Sequence, residues 1–170
     1  MSPPAYLLET RLTLASEAET RDLAARLAPL LRAGDTLLLD GPIGAGKTAF
    51  ARALIGDLQA RAGFVPEDVP SPTFTLVQVY DAGQFEVWHA DLYRLTHPHE
   101  VIELGLDEAF SNALCLVEWP DRLGSLVPAG ALRLAFEPGK SDDARLLCLS
   151  AKDPVWKVRL EPLFSTYEDA

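Results

Sequence analysis

The chain has 170 residues, 48% hydrophobic and 24% charged, which fits one water-soluble domain over 1–170 with a core large enough to fold. Its formal net charge is −10, and only four of its fifteen basic residues are lysines. Polynucleotide binders use a basic face that displaces counterions from phosphates, so this balance argues against strong direct nucleic-acid binding and points to action through protein partners.

In chain order, Leu8 to Leu14 alternates as a first strand. Ser16, with Glu19 three residues on, forms a capping box for a helix that carries Leu23, Leu27, Leu30 and Leu31 on one face and ends at Gly34. Asp35 to Asp40 reads as a short buried strand, and the helix from Thr48 stops near Gly63. Phe74 to Tyr80 and Phe85 to Ala90 form a hairpin across Asp81-Ala82-Gly83-Gln84. Helical segments follow at Pro98 to Leu104 and Asp107 to Asn112, then a buried strand over Ala113 to Trp119. Ala131 to Phe136 and Arg145 to Ser150 make a second hairpin across the turn-rich 138–143, and Asp153 to Phe164 reads as a closing amphipathic helix. The expected fold is α/β: a P-loop NTPase-type domain with a mixed sheet, a parallel core, antiparallel hairpins, and helices on both faces. Cys115 and Cys148 sit in apolar runs and read as small core residues without a disulfide. No basic patch precedes an apolar stretch at the N-terminus. The uncharged run from Val69 to Tyr80 falls short of the ~20 apolar residues that span a bilayer. A cytoplasmic protein without membrane contact is expected.

The most specific motif lies between the second strand and its helix. Gly41-Pro42-Ile43-Gly44-Ala45-Gly46-Lys47-Thr48 matches G-x-x-x-x-G-K-[ST] at every fixed position. The glycines let backbone N–H groups turn around a phosphate, Lys47 reaches the β- and γ-phosphates, and the Thr48 hydroxyl suits Mg²⁺. Strand, loop and helix in that order add the anion preference of a helix N-terminus. The chain is therefore expected to bind a nucleoside triphosphate. Hydrolysis needs acids as well, and Asp91 and Glu118 each close an apolar strand, where ligands of open α/β sheets gather. Ser71-Pro72-Thr73-Phe74-Thr75 offers hydroxyls on a proline-stiffened loop, suited either to sensing a γ-phosphate or to satisfying its own turn. His97-Pro98-His99-Glu100 reads as an exposed helix start rather than a metal site, and His89 as a strand-face neighbour of Asp91.

Four blocks occur in one order and spacing: Gly41 to Thr48, Ser71 to Val77, His89-Ala90-Asp91-Leu92-Tyr93-Arg94-Leu95, and Leu116-Val117-Glu118-Trp119-Pro120. Together they closely resemble the TsaE family, small bacterial ATPases needed for threonylcarbamoyladenosine modification of tRNA. The resemblance implies ATP as substrate, Mg²⁺ as cofactor, and hydrolysis that is weak without two partners: the threonylcarbamoyl transferase subunit and its paralogous scaffold. It implies Lys47 and Thr48 on phosphate and Mg²⁺, Glu118 as a second metal-associated acid, Asp91 as the acid needed for hydrolysis, Thr73 as the switch hydroxyl, and Glu17 near the nucleotide. One departure is Pro42, where the family carries an acid. Proline removes one N–H donor and fixes φ, and the donors further along the loop remain. A small-molecule P-loop kinase and a non-hydrolysing nucleotide switch are the competing readings. Against the kinase, the eleven arginines form no lid-like cluster.

Overall fold

A computed structural model of the protein describes residues 8–72 and 75–168. Chain order gives β1 (Leu8–Leu14), α1 (Glu17–Leu27), β2 (Thr36–Asp40), α2 (Lys47–Arg61), β3 (Val77–Asp81) and β4 (Glu86–Asp91). It continues with α3 (Glu100–Glu103), α4 (Leu106–Asn112), β5 (Leu114–Glu118), β6 (Leu132–Pro138), β7 (Arg145–Ala151), α5 (Val155–Arg159) and α6 (Glu161–Glu168). The seven strands form one sheet in the order β1-β7-β6-β2-β5-β4-β3. β2 is the centre, parallel to both β5 and β6, and β4 extends the parallel block beyond β5. Antiparallel hairpins finish each side: β3 on β4, and β7 between β6 and β1.

The buried runs Leu37-Leu38-Leu39 and Leu114-Cys115-Leu116-Val117 explain the central position of β2 and β5, since a strand covered on both faces reads as continuously apolar. Alternate residues divide between two cores. Leu37, Leu39, Leu114 and Leu116 join the α1 and α2 side, where Leu23, Leu27, Phe50, Leu54 and Ile55 are buried. Leu38, Cys115 and Val117 join the opposite side with Val101, Leu106 and Ala109 from α3 and α4. Helices therefore cover both faces, as expected.

Three expected helices are shorter than their apolar pattern. α1 ends at Leu27 because Pro29 has no N–H for an α-helical bond; Ala28–Leu30 tightens into a 3₁₀ turn instead. Gly34 belongs to the turn beyond, at φ +91°, where its N–H donates to Ala113 O at 2.9 Å. The helix expected from Pro98 begins at Glu100, and the rings of His97 and His99 stack ahead of it, 5.4 Å apart. The closing helix is two pieces, with Pro162 in the first turn of the second, where the missing donor costs nothing. The first hairpin strand starts at Val77 rather than Phe74: Leu76 kinks the chain at φ +67°, and Phe74 lies outside the described residues. Cys115 is fully buried and Cys148 partly so, both as free thiols.

Candidate functional site

The site begins with the backbone at the end of β2. Gly41 turns the chain at φ +138°, and a Cβ there would come within 2.5 Å of Phe136 O on β6, so only glycine fits. Gly44 and Gly46 also have positive φ, and Gly46 is the N-cap of α2 without any side-chain capping bond. The first amides of a fifteen-residue helix are thus left facing the loop, which makes them donors for an anion. Ile43 is exposed at the tip and Ala45 is buried beneath it. Pro42 accepts the Ala45 N–H through its carbonyl at 3.1 Å, so the turn forms without the proline's missing donor.

Lys47 is 5% exposed. Its ammonium donates to Gly41 O at 2.6 Å and lies 3.5 Å over the Trp119 ring. Burial pulls its pKa below the ordinary lysine value, against Glu118, Asp91, Asp40 and Asp121, which pull it up. The Trp119 ring is backed by Tyr93, 5.0 Å away.

Parallel pairing of β4 and β5 sets Asp91 opposite Glu118. Alternation turns both toward α2, on the same face as Val87, His89, Leu114 and Leu116. The Thr48 hydroxyl lies 2.8 and 3.0 Å from the two Glu118 carboxylate oxygens. His89 Nε2 lies 2.7 Å from Glu118 Oε2, its ring fully buried; with the carboxylate ionised, the imidazole is the donor. Asp91 accepts from the Ser71 hydroxyl at 3.2 Å and from Tyr93 N–H at 3.1 Å. Among the described residues the two non-glycine positions with positive φ are Leu76 and Trp119. Leu76 O accepts the Asp91 N–H at 2.8 Å, and Trp119 follows Glu118 directly, so both kinks fix the strand ends that carry the acids.

Lys47, Thr48, Ser71, Asp91, Tyr93, Glu118 and Trp119 line one cleft of about 510 Å³ together with Ile43, Gly44, Gly46 and Arg145, with His89 buried behind Glu118. A larger hollow of about 720 Å³ around Gly130 and Lys152 holds none of them. Glu17 reaches a small neighbouring crevice with Gly46 and Arg145, its exposed carboxylate 3.4 Å from Arg21. Thr73 lies outside the described residues. The structure therefore brings together Ile43, Gly44, Gly46, Lys47 and Thr48 of the loop with Asp91 and Glu118, and sets Glu17 at the margin. Three residues beyond those given a role from sequence also contribute. His89 shares the face of Asp91, as its place two residues earlier on the strand implied, and its added role is the contact with Glu118. Trp119, which the sequence left open between shaping a pocket and plain aromatic packing, lines the cleft beneath Lys47, whereas Arg145 reaches the loop through contacts for which local spacing gives no sign.

A glycine-rich loop between β2 and α2, at the middle of a mixed sheet with a parallel core, defines a P-loop NTPase-type α/β domain. Residues 14–146 match the family described as "Threonylcarbamoyl adenosine biosynthesis protein TsaE". A relative from Rickettsia conorii named "tRNA threonylcarbamoyladenosine biosynthesis protein TsaE" is 41% identical over 138 residues, 80% of this chain and 74% of that protein. One of the same name from Bacillus subtilis is 33% identical over 146 residues, 85% and 87% of the two chains. The crystal structure of Bacillus subtilis YdiB superposes with a TM-score of 0.76 at 27% identity, covering 94% of this chain and 96% of that one. The chain belongs to the TsaE family, which takes part in tRNA threonylcarbamoyladenosine biosynthesis. Among the described residues, no helix is long and apolar enough to cross a membrane.

Proposed function

We propose that this protein is the Mg²⁺-dependent ATPase of a cytoplasmic tRNA threonylcarbamoyladenosine machinery, working with the threonylcarbamoyl transferase subunit and that subunit's paralogous scaffold. The observation that carries the reading is the Thr48–Glu118 contact at 2.8 and 3.0 Å. It places the loop hydroxyl and a strand-end carboxylate together at the foot of the phosphate loop, where the triphosphate's metal belongs in proteins of this class.

The donor set is hydroxyl and carboxylate oxygen, which suits a hard cation such as Mg²⁺. Among the described residues no group of three His, Cys, Asp or Glu could hold a metal alone. Mg²⁺ in sites of this kind is held through one or two carboxylates, waters and substrate phosphates. Thr48 and Glu118 would hold it, with Asp91 beside them, and when bound it would offset charge on the β- and γ-phosphate oxygens. The loop amides and the start of α2 bind the phosphates, and Lys47 delivers a buried ammonium to the γ end. Asp91 is oriented by Ser71 and the Tyr93 amide and accepts a hydrogen bond from the attacking water. His89 holds the Glu118 carboxylate from below. The acidic surface favours protein partners over tRNA itself.

Phosphate release from ATP, measured alone and then with the partner pair, tests this. Wild type should release phosphate faster with the partners. Lys47→Ala, Asp91→Asn and Glu118→Gln should each lower turnover by about 10²–10³-fold. The two carboxylate variants should retain much of the nucleotide affinity, whereas Lys47→Ala loses it. A carboxylate variant turning over at the wild-type rate would remove that acid from the mechanism. No release by wild type in either assay would leave a nucleotide switch instead.

A further inference from the structure

Arg145 opens β7, opposite Pro138 on β6 and Leu14 on β1. The connection before it is tight: Gly139 N–H donates to Ala144 O at 2.9 Å, and a Cβ on Gly139 would come within 2.8 Å of Ala144. The Arg145 guanidinium donates through Nη1 to Asp142 O at 2.6 Å and Ala144 O at 2.8 Å. Through Nη2 it reaches Gly44 O at 3.3 Å. Its Nε would stand 3.2 Å from a Cβ on Gly46, with Cδ and Cγ at 3.8 and 3.9 Å. The side chain therefore lies along the phosphate loop, one residue before Lys47, in space that glycine leaves open.

All three acceptors are neutral carbonyls, and none of the ion pairs among the described residues uses Arg145. A guanidinium positioned by neutral groups keeps its full charge and its remaining N–H edge for an anion. Arg145 borders both the phosphate cleft and the crevice lined by Glu17, Thr20, Ala49 and Asp143, and it pairs with neither carboxylate. In loops of this class the backbone amides cradle the α- and β-phosphates while the lysine extends toward the β and γ positions. Arg145 lies against the cradle itself, at Gly44 and Gly46.

We infer that Arg145 is a phosphate ligand for the α/β end of the nucleotide, delivered to the loop by the β6–β7 hairpin; the inference rests on the triphosphate reading above. It makes the hairpin a third wall of the binding site, beside the loop and the β4–β5 strand ends. ADP and ATP share these phosphates, so both are held by the contact to the same degree.

Calorimetric titration of the full chain with Mg·ADP and Mg·ATP tests this, using wild type, Arg145→Gln and Arg145→Lys. Loss of one charge-assisted contact should raise both Kd values about tenfold in Arg145→Gln, by the same factor for each nucleotide. Arg145→Lys should recover part of the loss. Should the glutamine variant not fold, the lysine variant carries the test with a smaller parallel rise. Unchanged ADP affinity in a folded variant overturns the inference, as does a loss confined to ATP, which would move the group to the γ-phosphate. A lowered melting temperature without nucleotide, with weakening that lysine does not relieve, also overturns it, because it marks a strut for the loop. Wild type binding neither nucleotide would fell the triphosphate reading, and this inference with it.

Discussion

Lys47 illustrates how one residue is kept ready at a cost. The ammonium is nearly buried, its pKa lowered by desolvation, and it is held by the Gly41 carbonyl and the Trp119 ring. Phosphate oxygens are stronger partners for an ammonium than either a carbonyl or an aromatic face. A triphosphate therefore competes well for the group. Trp119 adopts its left-handed φ of +59° at the residue joining Glu118 to the next turn, so the acid and the ring are positioned by one backbone kink. Cys115 shows the opposite use of burial. Its thiol is fully enclosed and its pKa is pushed up to about 12, so the reactive thiolate is absent at neutral pH. Iodoacetamide at pH near 8 should label Cys148, which is partly exposed, and spare Cys115 until the protein is unfolded. Mass spectrometry of the native reaction checks this; prompt labelling of Cys115 would contradict its enclosure.

At the scale of elements, α1 shows how local chemistry sets a boundary. The Ser16 hydroxyl accepts from Glu19 N–H at 3.2 Å, and the Glu19 carboxylate reaches back to Ala15 N–H, one residue earlier than the usual reciprocal bond. Ser16→Ala should cost about 1 kcal/mol of stability, read as a lower urea midpoint at constant slope. Midpoints matching wild type would show that water satisfies those amides equally well. The capping box, the phosphate loop, both hairpins and the apolar core strands were legible in sequence because each rests on spacing within a few residues. The shorter helices were legible only in part. The apolar pattern of α1 runs through Leu30 and Leu31, yet Pro29 stops α-helical bonding at Leu27, and a backbone donor outweighs side-chain periodicity. The pairing of Asp91 with Glu118 was half visible: both close strands, but their register is a tertiary fact. Arg145 left no local signal, since it meets Gly44 from 101 positions away in the chain.

For the whole molecule, the sheet's direction gathers the site. β2, β4, β5 and β6 are mutually parallel, so their C-terminal ends share one edge. From that edge come the loop after Asp40, the acids Asp91 and Glu118, and the β6–β7 connection ahead of Arg145. A ligand in the cleft touches segments from across the chain, all of which unfolding would scatter, so binding must couple to global stability. At a nucleotide concentration about a hundred times Kd, the gain is about 2.7 kcal/mol. A chain of this size shifts by roughly 2–4 °C per kcal/mol, so Mg·ADP should raise the melting temperature by about 5–10 °C. Thermal melts followed by fluorescence or circular dichroism measure this, with ADP chosen because hydrolysis does not consume it. Lys47→Ala should lose most of the shift, since the ammonium lies inside the cleft between Gly41 and Trp119. Ser16→Ala should keep the full shift from a lower starting point, because its cap contributes to stability without lining the cleft. An equal shift in Lys47→Ala would mean that the nucleotide binds elsewhere on the protein.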